Sequence, residues 1–161
     1  MGHVLVAVLA GALLGAGAQS TAESQTDACA RLAQLALPQA KVASAGTVAA
    51  GGFSPPAGVS PWLIGDPTLY KTVPSFCRVV VEATPSADSS IAIEVWMPVT
   101  AWNGRFRAQG NGGFAGEIPF GALGSTVRQG YATAATNTGH SGIGTDASWA
   151  LGHPEKVTDF G

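Results

Sequence analysis

Residues 102–116, reading WNGRFRAQGNGGFAG, restrict this chain more than any other stretch. A short basic and aromatic segment runs into a loop with glycines at 104, 110, 112, 113 and 116. With so few Cβ atoms, the backbone N–H groups of that loop can come close to another group. The flanking chain reads as the approach to this loop and the exit from it. Before it, residues 76–84 (FCRVVVEAT) and 90–98 (SIAIEVWMP) are strand-like and are separated by the turn-rich PSADS of 85–89. Ile91, Ile93, Val95 and Met97 alternate with Glu94 and Trp96, which predicts an antiparallel hairpin with its aliphatic face packed. Trp102-Asn103-Gly104 makes a turn, and 105–109 a third strand. After the loop, 121–129 has helical composition and a stop at Gly130. Residues 131–136 (YATAAT) have the small, uniform character of a strand buried on both faces. Strand, glycine loop, helix and strand make a βαβ crossover, which requires a parallel pairing. The expected class is therefore α/β: an antiparallel hairpin leading into a βαβ crossover, as at the start of a mixed sheet.

At 161 residues the chain holds one domain at most. Only 11% of it is charged, against roughly 25% in an average soluble domain. Part of the deficit lies in 4–18, an uncharged run of Val, Leu, Ala and Gly that ends in Ala16-Gly17-Ala18. This small-x-small ending before Gln19 predicts a signal peptide over 1–18 and an exported chain from 19 to 161. The run is shorter than the about 20 residues of a membrane span. Its first residues carry His3 but no Lys or Arg, which leaves an upstream start and a retained anchor as other readings. A net charge of −2 without a basic run gives no ground for a nucleic-acid partner, nor for a membrane partner once the signal is removed. Cys29 and Cys77 are the two cysteines, and in an exported chain the default is a disulfide. On the chain-entropy model, closing so long a loop stabilises by roughly 4 kcal/mol. A free thiol pair is the alternative; a metal site would lack a nearby third ligand.

The remaining segments are less regular. Residues 27–37 read as a short helix capped by Thr26 or Asp27, with Leu32, Leu35 and Ala36 on one face and Pro38 as the stop. Residues 41–53 read as two short strands or one bulged strand. Residues 54–74 contain prolines at 55, 56, 61, 67 and 74 and read as a surface connection wrapped on the core by Trp62 and Tyr70. Residues 146–151 form a loop, and His153-Pro154-Glu155 starts a helix, with proline at its first position and acid in its first turn. Only 156–161 follow, so the chain reads as interrupted.

Four motifs compete for a chemical role. Residues 110–115 match a dinucleotide fingerprint loosely, but the preceding strand carries Arg105, Arg107 and Gln109, and no acidic residue stands about 20 positions on. Gly139-His140-Ser141-Gly142 falls short of a nucleophile elbow, because Ile143 stands where the second glycine is needed and no helix follows; Ser141 is rejected as a nucleophile. His140, Asp146, His153 and Asp159 form no recognised metal spacing and read as surface or loop-fixing residues. The glycine loop itself follows a strand and precedes a crossover helix, the context in which a backbone N–H stabilises an oxyanion. A plain structural turn is its competing reading.

Taken together, several blocks resemble the N-terminal part of the tannase/feruloyl esterase family, which also includes the enzyme cleaving mono-hydroxyethyl terephthalate. They are Phe76-Cys77-Arg78-Val79, Glu94-Val95-Trp96-Met97-Pro98, Trp102-Asn103-Gly104-Arg105-Phe106, 110–116, Gly130-Tyr131-Ala132, Thr138-Gly139-His140 and 146–161 (DASWALGHPEKVTDFG). The resemblance implies an exported serine esterase with an α/β-hydrolase core and an inserted lid, acting on small aromatic esters such as feruloyl or galloyl esters. It makes 19–161 the N-terminal portion of the catalytic domain, cut before the nucleophile elbow. The family's elbow reads Gly-Cys-Ser-x-Gly-Gly, and no Gly-Cys-Ser occurs here. The triad and the lid with its calcium site therefore fall outside these residues, and no cofactor is expected on them. What carries over is the backbone N–H of Gly113 as oxyanion donor and a disulfide between Cys29 and Cys77. Asn137 stands where an Asp is usual, with no functional loss attached to it. The chain alone is expected to hydrolyse nothing and to be poorly stable, exposing the edge of its crossover strand where the nucleophile strand should pair. The other reading is a complete secreted binding module built on the 76–98 hairpin, with the glycine loop as its ligand contact.

Overall fold

The computed structural model describes Gln25, Thr26 and residues 28–161. The signal peptide expected over 1–18 and the capping Asp27 lie outside the described residues. In chain order the strands and helices are β1 (Ala36–Leu37), β2 (Ala40–Val48), α1 (Pro61–Ile64), β3 (Phe76–Ala83), β4 (Ile91–Pro98), β5 (Phe106–Gln109), α2 (Phe120–Arg128), β6 (Ala132–Thr136) and α3 (Pro154–Phe160). The strands form one sheet in the order β1-β2-β3-β4-β6-β5. Every pairing is antiparallel except β5 with β6, which is parallel, as the crossover requires.

One expectation near the start needs correction, and one open choice is decided. The helix expected over 27–37 ends early: 28–31 are helical, Leu32–Gln34 tighten into a 3-10 turn, and Ala36–Leu37 turn back onto Ala40 and Lys41 as a strand. The chain turns extended at Leu35, at ψ 122°; Pro38 then keeps Leu37 out of the helical region, and Gln39 closes the reversal at φ 55°. β2 is a single bulged strand, with its register against β3 shifting between Val42 and Ser44. Cys29 and Cys77 form a disulfide that pins the helical turn to β3.

The hairpin of β3 and β4 is packed on both faces rather than on the aliphatic one alone. The face bearing Glu94 and Trp96 is the deeper: Trp96 is fully buried, and Phe53, Tyr70, Val73, Phe76, Phe120, Leu123, Val127 and Ala135 pack with it. Phe53 lies among the rings, 4.5 Å from Trp96 and 5.3 Å from Tyr70 between centroids. Alternation alone misassigns this face because Glu94 looks like a solvent residue. It is buried because Arg78 grips both its oxygens and the Trp96 indole N–H donates to it at 2.9 Å. Hydrogen bonding to Glu94 holds the Arg78 guanidinium above its ordinary pKa. On the other face Val95 and Met97 meet the disulfide, Val79 and Leu32 in a smaller cluster.

α2 lays Phe120, Leu123 and Val127 onto the deep face, a spacing that fits one side of a helix. Asn103 closes its far end: its backbone N–H donates to the Gly130 carbonyl and its side-chain amide to the Gln129 carbonyl. Tyr70 wraps against the core as expected, but Trp62 is 83% exposed. β6, built of Ala and Thr, lies between β4 and β5, so it is paired on both sides. Among the described residues the free sheet edge beside the crossover therefore belongs to β5, where Phe106, Arg107 and Ala108 are exposed, and not to β6.

Candidate active site

Parallel strands in an open sheet deliver ligand sites at their carboxyl ends, where the strand order reverses. Here that place is the end of β5 at Gln109 and the end of β6 at Thr136. β5 runs into the glycine loop of 110–116, and β6 into a second loop of 137–144. The two loops are stitched together by backbone–backbone bonds and by two side chains that reach backbone carbonyls. Asn111 donates its side-chain amide to the Thr136 carbonyl at 2.9 Å. Phe114 N–H donates to Gly144 O at 2.9 Å and Gly116 N–H to Gly142 O at 3.1 Å. His140 places Nε2 2.9 Å from the Phe114 carbonyl and Nδ1 3.2 Å from the Thr138 carbonyl, and in the tautomer protonated at Nε2 it donates to Phe114.

Within the glycine loop, Ala115 N–H donates back to Gly112 O at 3.2 Å and closes a tight turn. Gly113 sits in that turn at φ 57°, where a Cβ would run into the Gly144 carbonyl oxygen. Gly116 is equally confined, since a Cβ there would lie 2.5 Å from Cδ2 of His140. The sequence put these glycines in the loop; the structure gives the reason, a second backbone pressed against them. Among the described residues the N–H groups of Gly112 and Gly113 have no protein acceptor, and both glycines are exposed. A half-enclosed cleft of about 460 Å³ borders the loop and is walled by Trp62, Leu63, Pro119 and Ile143, with Gly112 and Glu117 also on its lining.

The ionisable residues of the second half go to separate places. His153 pairs with Asp88 at 2.7 Å. Asp146 accepts from Ser148 N–H at 2.8 Å, and this holds its carboxyl below the ordinary value. Asp159 accepts from the Ser89 hydroxyl at 3.0 Å. No three His, Cys, Asp or Glu side chains among the described residues come together as a metal site. Ser141 is exposed, and no His or carboxylate among the described residues is hydrogen-bonded to its hydroxyl. Asn137 accepts from Ala92 N–H and Gly139 N–H through Oδ1, acceptor work that a carboxylate would also do. Sequence reasoning missed the grip of His140 on Phe114. The signal available was a lone His in a Gly-rich turn straight after a buried strand.

Comparison with known proteins assigns the chain to a family. The family model for tannase and feruloyl esterase matches residues 77–161. An uncharacterised esterase of Xanthomonas campestris pv. campestris is 42% identical over 154 residues, which are 96% of this chain and 25% of that protein. A probable feruloyl esterase B-1 of Aspergillus terreus is 44% identical over 84 residues, 52% of this chain and 15% of that one. The crystal structure of feruloyl esterase B from Aspergillus oryzae superposes with a TM-score of 0.67 at 28% identity, over 84% of this chain and 26% of that one. The chain thus spans between 15% and 26% of the length of these relatives. With more than half of its residues covered by the family model, the chain belongs to the tannase and feruloyl esterase family.

Proposed function

We propose that these residues are the N-terminal portion of an exported serine carboxylic ester hydrolase that cleaves aromatic acid esters of the feruloyl or galloyl kind. In this reading the Gly113 N–H donates to the carbonyl oxygen as it becomes an oxyanion. A serine attacks that carbonyl, a histidine moves the protons, and water releases the acyl group. The nucleophile, base and acid come from sequence other than residues 1–161. The observation that carries the proposal is that Gly113 is exposed and its N–H, like that of Gly112, has no acceptor among the described residues, in a loop whose next three N–H groups are all engaged. Such a donor contributes on the order of 3–4 kcal/mol to transition-state stabilisation.

The test is the reading frame that follows the Gly161 codon and the activity of what it encodes. A frame reaching Gly-Cys-Ser-x-Gly-Gly, with its product hydrolysing methyl ferulate or methyl gallate while residues 1–161 alone do not, is the expected result. A stop codon directly after Gly161 favours the binding module instead. Turnover by the 161-residue chain that Ser141→Ala abolishes would overturn both the division of labour and the dismissal of Ser141.

A further inference from the structure

We propose that His140 is a positioning residue for the oxyanion donor, acting through a relay of two peptide units; this rests on the esterase reading above. The ring is 6% exposed. Trp149 stacks on it at 3.9 Å and 19°, Phe160 lies 5.7 Å away, and the Thr138 carbonyl is 3.2 Å from Nδ1. Held in this way, the ring aims Nε2–H at the Phe114 carbonyl, 2.9 Å away.

That carbonyl and the Ala115 N–H are opposite ends of one planar trans peptide, so fixing the first fixes the second. The Ala115 N–H donates at 3.2 Å to the Gly112 carbonyl, which is the opposite end of the peptide that carries the Gly113 N–H. Each link therefore sets the direction of the next, from imidazole to peptide 114–115, to peptide 112–113, and out to the free N–H. The links also polarise one another in the same sense. An amide whose carbonyl accepts a hydrogen bond is a stronger donor at its N–H, so a chain of such bonds strengthens along its length. His140 makes the Gly113 N–H both better aimed and a better donor without touching substrate. The Gly139-His140-Ser141-Gly142 turn, which fails as a nucleophile elbow, acquires a role on the oxyanion side of the same reaction.

Two measurements separate this from the esterase reading itself. In the ester-hydrolysing polypeptide, His140→Phe keeps the stacking on Trp149 and removes the donor. It is expected to lower kcat about 10-fold or more, toward the 10²–10³ of losing a donor outright, with KM within about twofold. His140→Gln, which retains an N–H for the Phe114 carbonyl, should recover part of kcat. Gly116→Ala, whose Cβ would press on Cδ2, Nε2 and the backbone carbonyl oxygen of His140, should also lower kcat by displacing the ring together with its loop. In the 161-residue chain, His140→Phe should speed hydrogen exchange at the Ala115 amide while amides of β3 and β4 stay protected.

Unchanged kcat, or a fall in kcat matched by an equal loss of urea midpoint that Gln does not restore, would remove the positioning role. Unaltered Ala115 exchange would remove the relay. If the wild-type longer polypeptide turns over no ester, the esterase reading fails, and the exchange measurement still decides the relay.

Discussion

The aromatic core under α2 and the paired glycine loops at the ends of β5 and β6 are held by different kinds of contact. In the core, large side chains fill space: Phe76 and Trp96 stack at 4.3 Å, and Leu123 and Val127 seal them from above. In the loops backbone meets backbone: N–H groups of Phe114 and Gly116 meet carbonyls of Gly144 and Gly142, and the Asn111 amide and the His140 ring add side-chain bonds to backbone carbonyls. A core of this kind tolerates replacement by residues of similar volume. Backbone pressed on backbone tolerates no added atom, because neither partner has a rotamer to change. The core fills space, and the loops fix the course of a backbone that leaves the N–H groups of Gly112 and Gly113 without an acceptor among the described residues.

The comparison breaks most visibly at Trp96. Trp96→Ala empties a fully buried site and removes a donor from the buried Glu94 carboxylate. A loss of about 3–5 kcal/mol is expected from urea unfolding monitored by circular dichroism. A loss below about 1 kcal/mol would mean that the deep face is not where the fold gets its stability.

Gly113→Ala probes the opposite regime. The left-handed conformation alone costs a residue with a Cβ about 1–2 kcal/mol, and the Gly144 carbonyl forces the loop to shift as well. Its stability loss should be smaller than that of Trp96→Ala, yet its loss of kcat in the ester-hydrolysing polypeptide should reach about 10²-fold, as for a removed oxyanion donor. If activity followed stability in both variants, the division between core and loops would be wrong.

How much of this was legible follows the same division. The hairpin, the crossover and its parallel pairing could be read from residues 76–136, because strand and helix periods are local properties of side chains. The β4 face was misjudged because Glu94 is buried only through Arg78, sixteen residues away, and no alternation rule encodes that pairing. The extra strand at Ala36–Leu37 depended on what Pro38 and Gln39 do to the backbone. The glycine loop could be located but not explained. Its partner carbonyls lie about thirty residues on, in a loop of small residues with no periodicity at all. Likewise the strand order placing β6 inside β5 arises from packing Ala and Thr between two neighbours, which composition suggests but does not order.

Tyr70 supplies a titration of the core. Burial pushes its phenol from 10.0 up to about 12, and its hydroxyl donates to the Ile64 carbonyl at 2.7 Å. Above pH 10 the unfolded chain gives up this proton before the folded chain does, so stability is lost as pH rises from 10 toward about 12. Tyr70→Phe should flatten that part of the stability–pH curve measured by urea unfolding. An unchanged slope in the variant would show that other groups set it.

Trp62 marks where the core stops. Its ring is 83% exposed and forms one wall of the cleft beside the glycine loop. A side chain with so little burial carries almost none of the fold, so Trp62→Ala should change stability by no more than about 0.5 kcal/mol. If the cleft receives the aromatic part of the ester, the same change should raise KM in the ester-hydrolysing polypeptide while leaving kcat near its original value, because binding to a wall is felt equally before and in the transition state. That pattern is the reverse of the one expected from His140→Phe. Together the two variants would separate what holds the substrate from what aims the donor. A Trp62→Ala enzyme with unchanged KM would assign the aromatic ring of the ester to a surface other than this cleft.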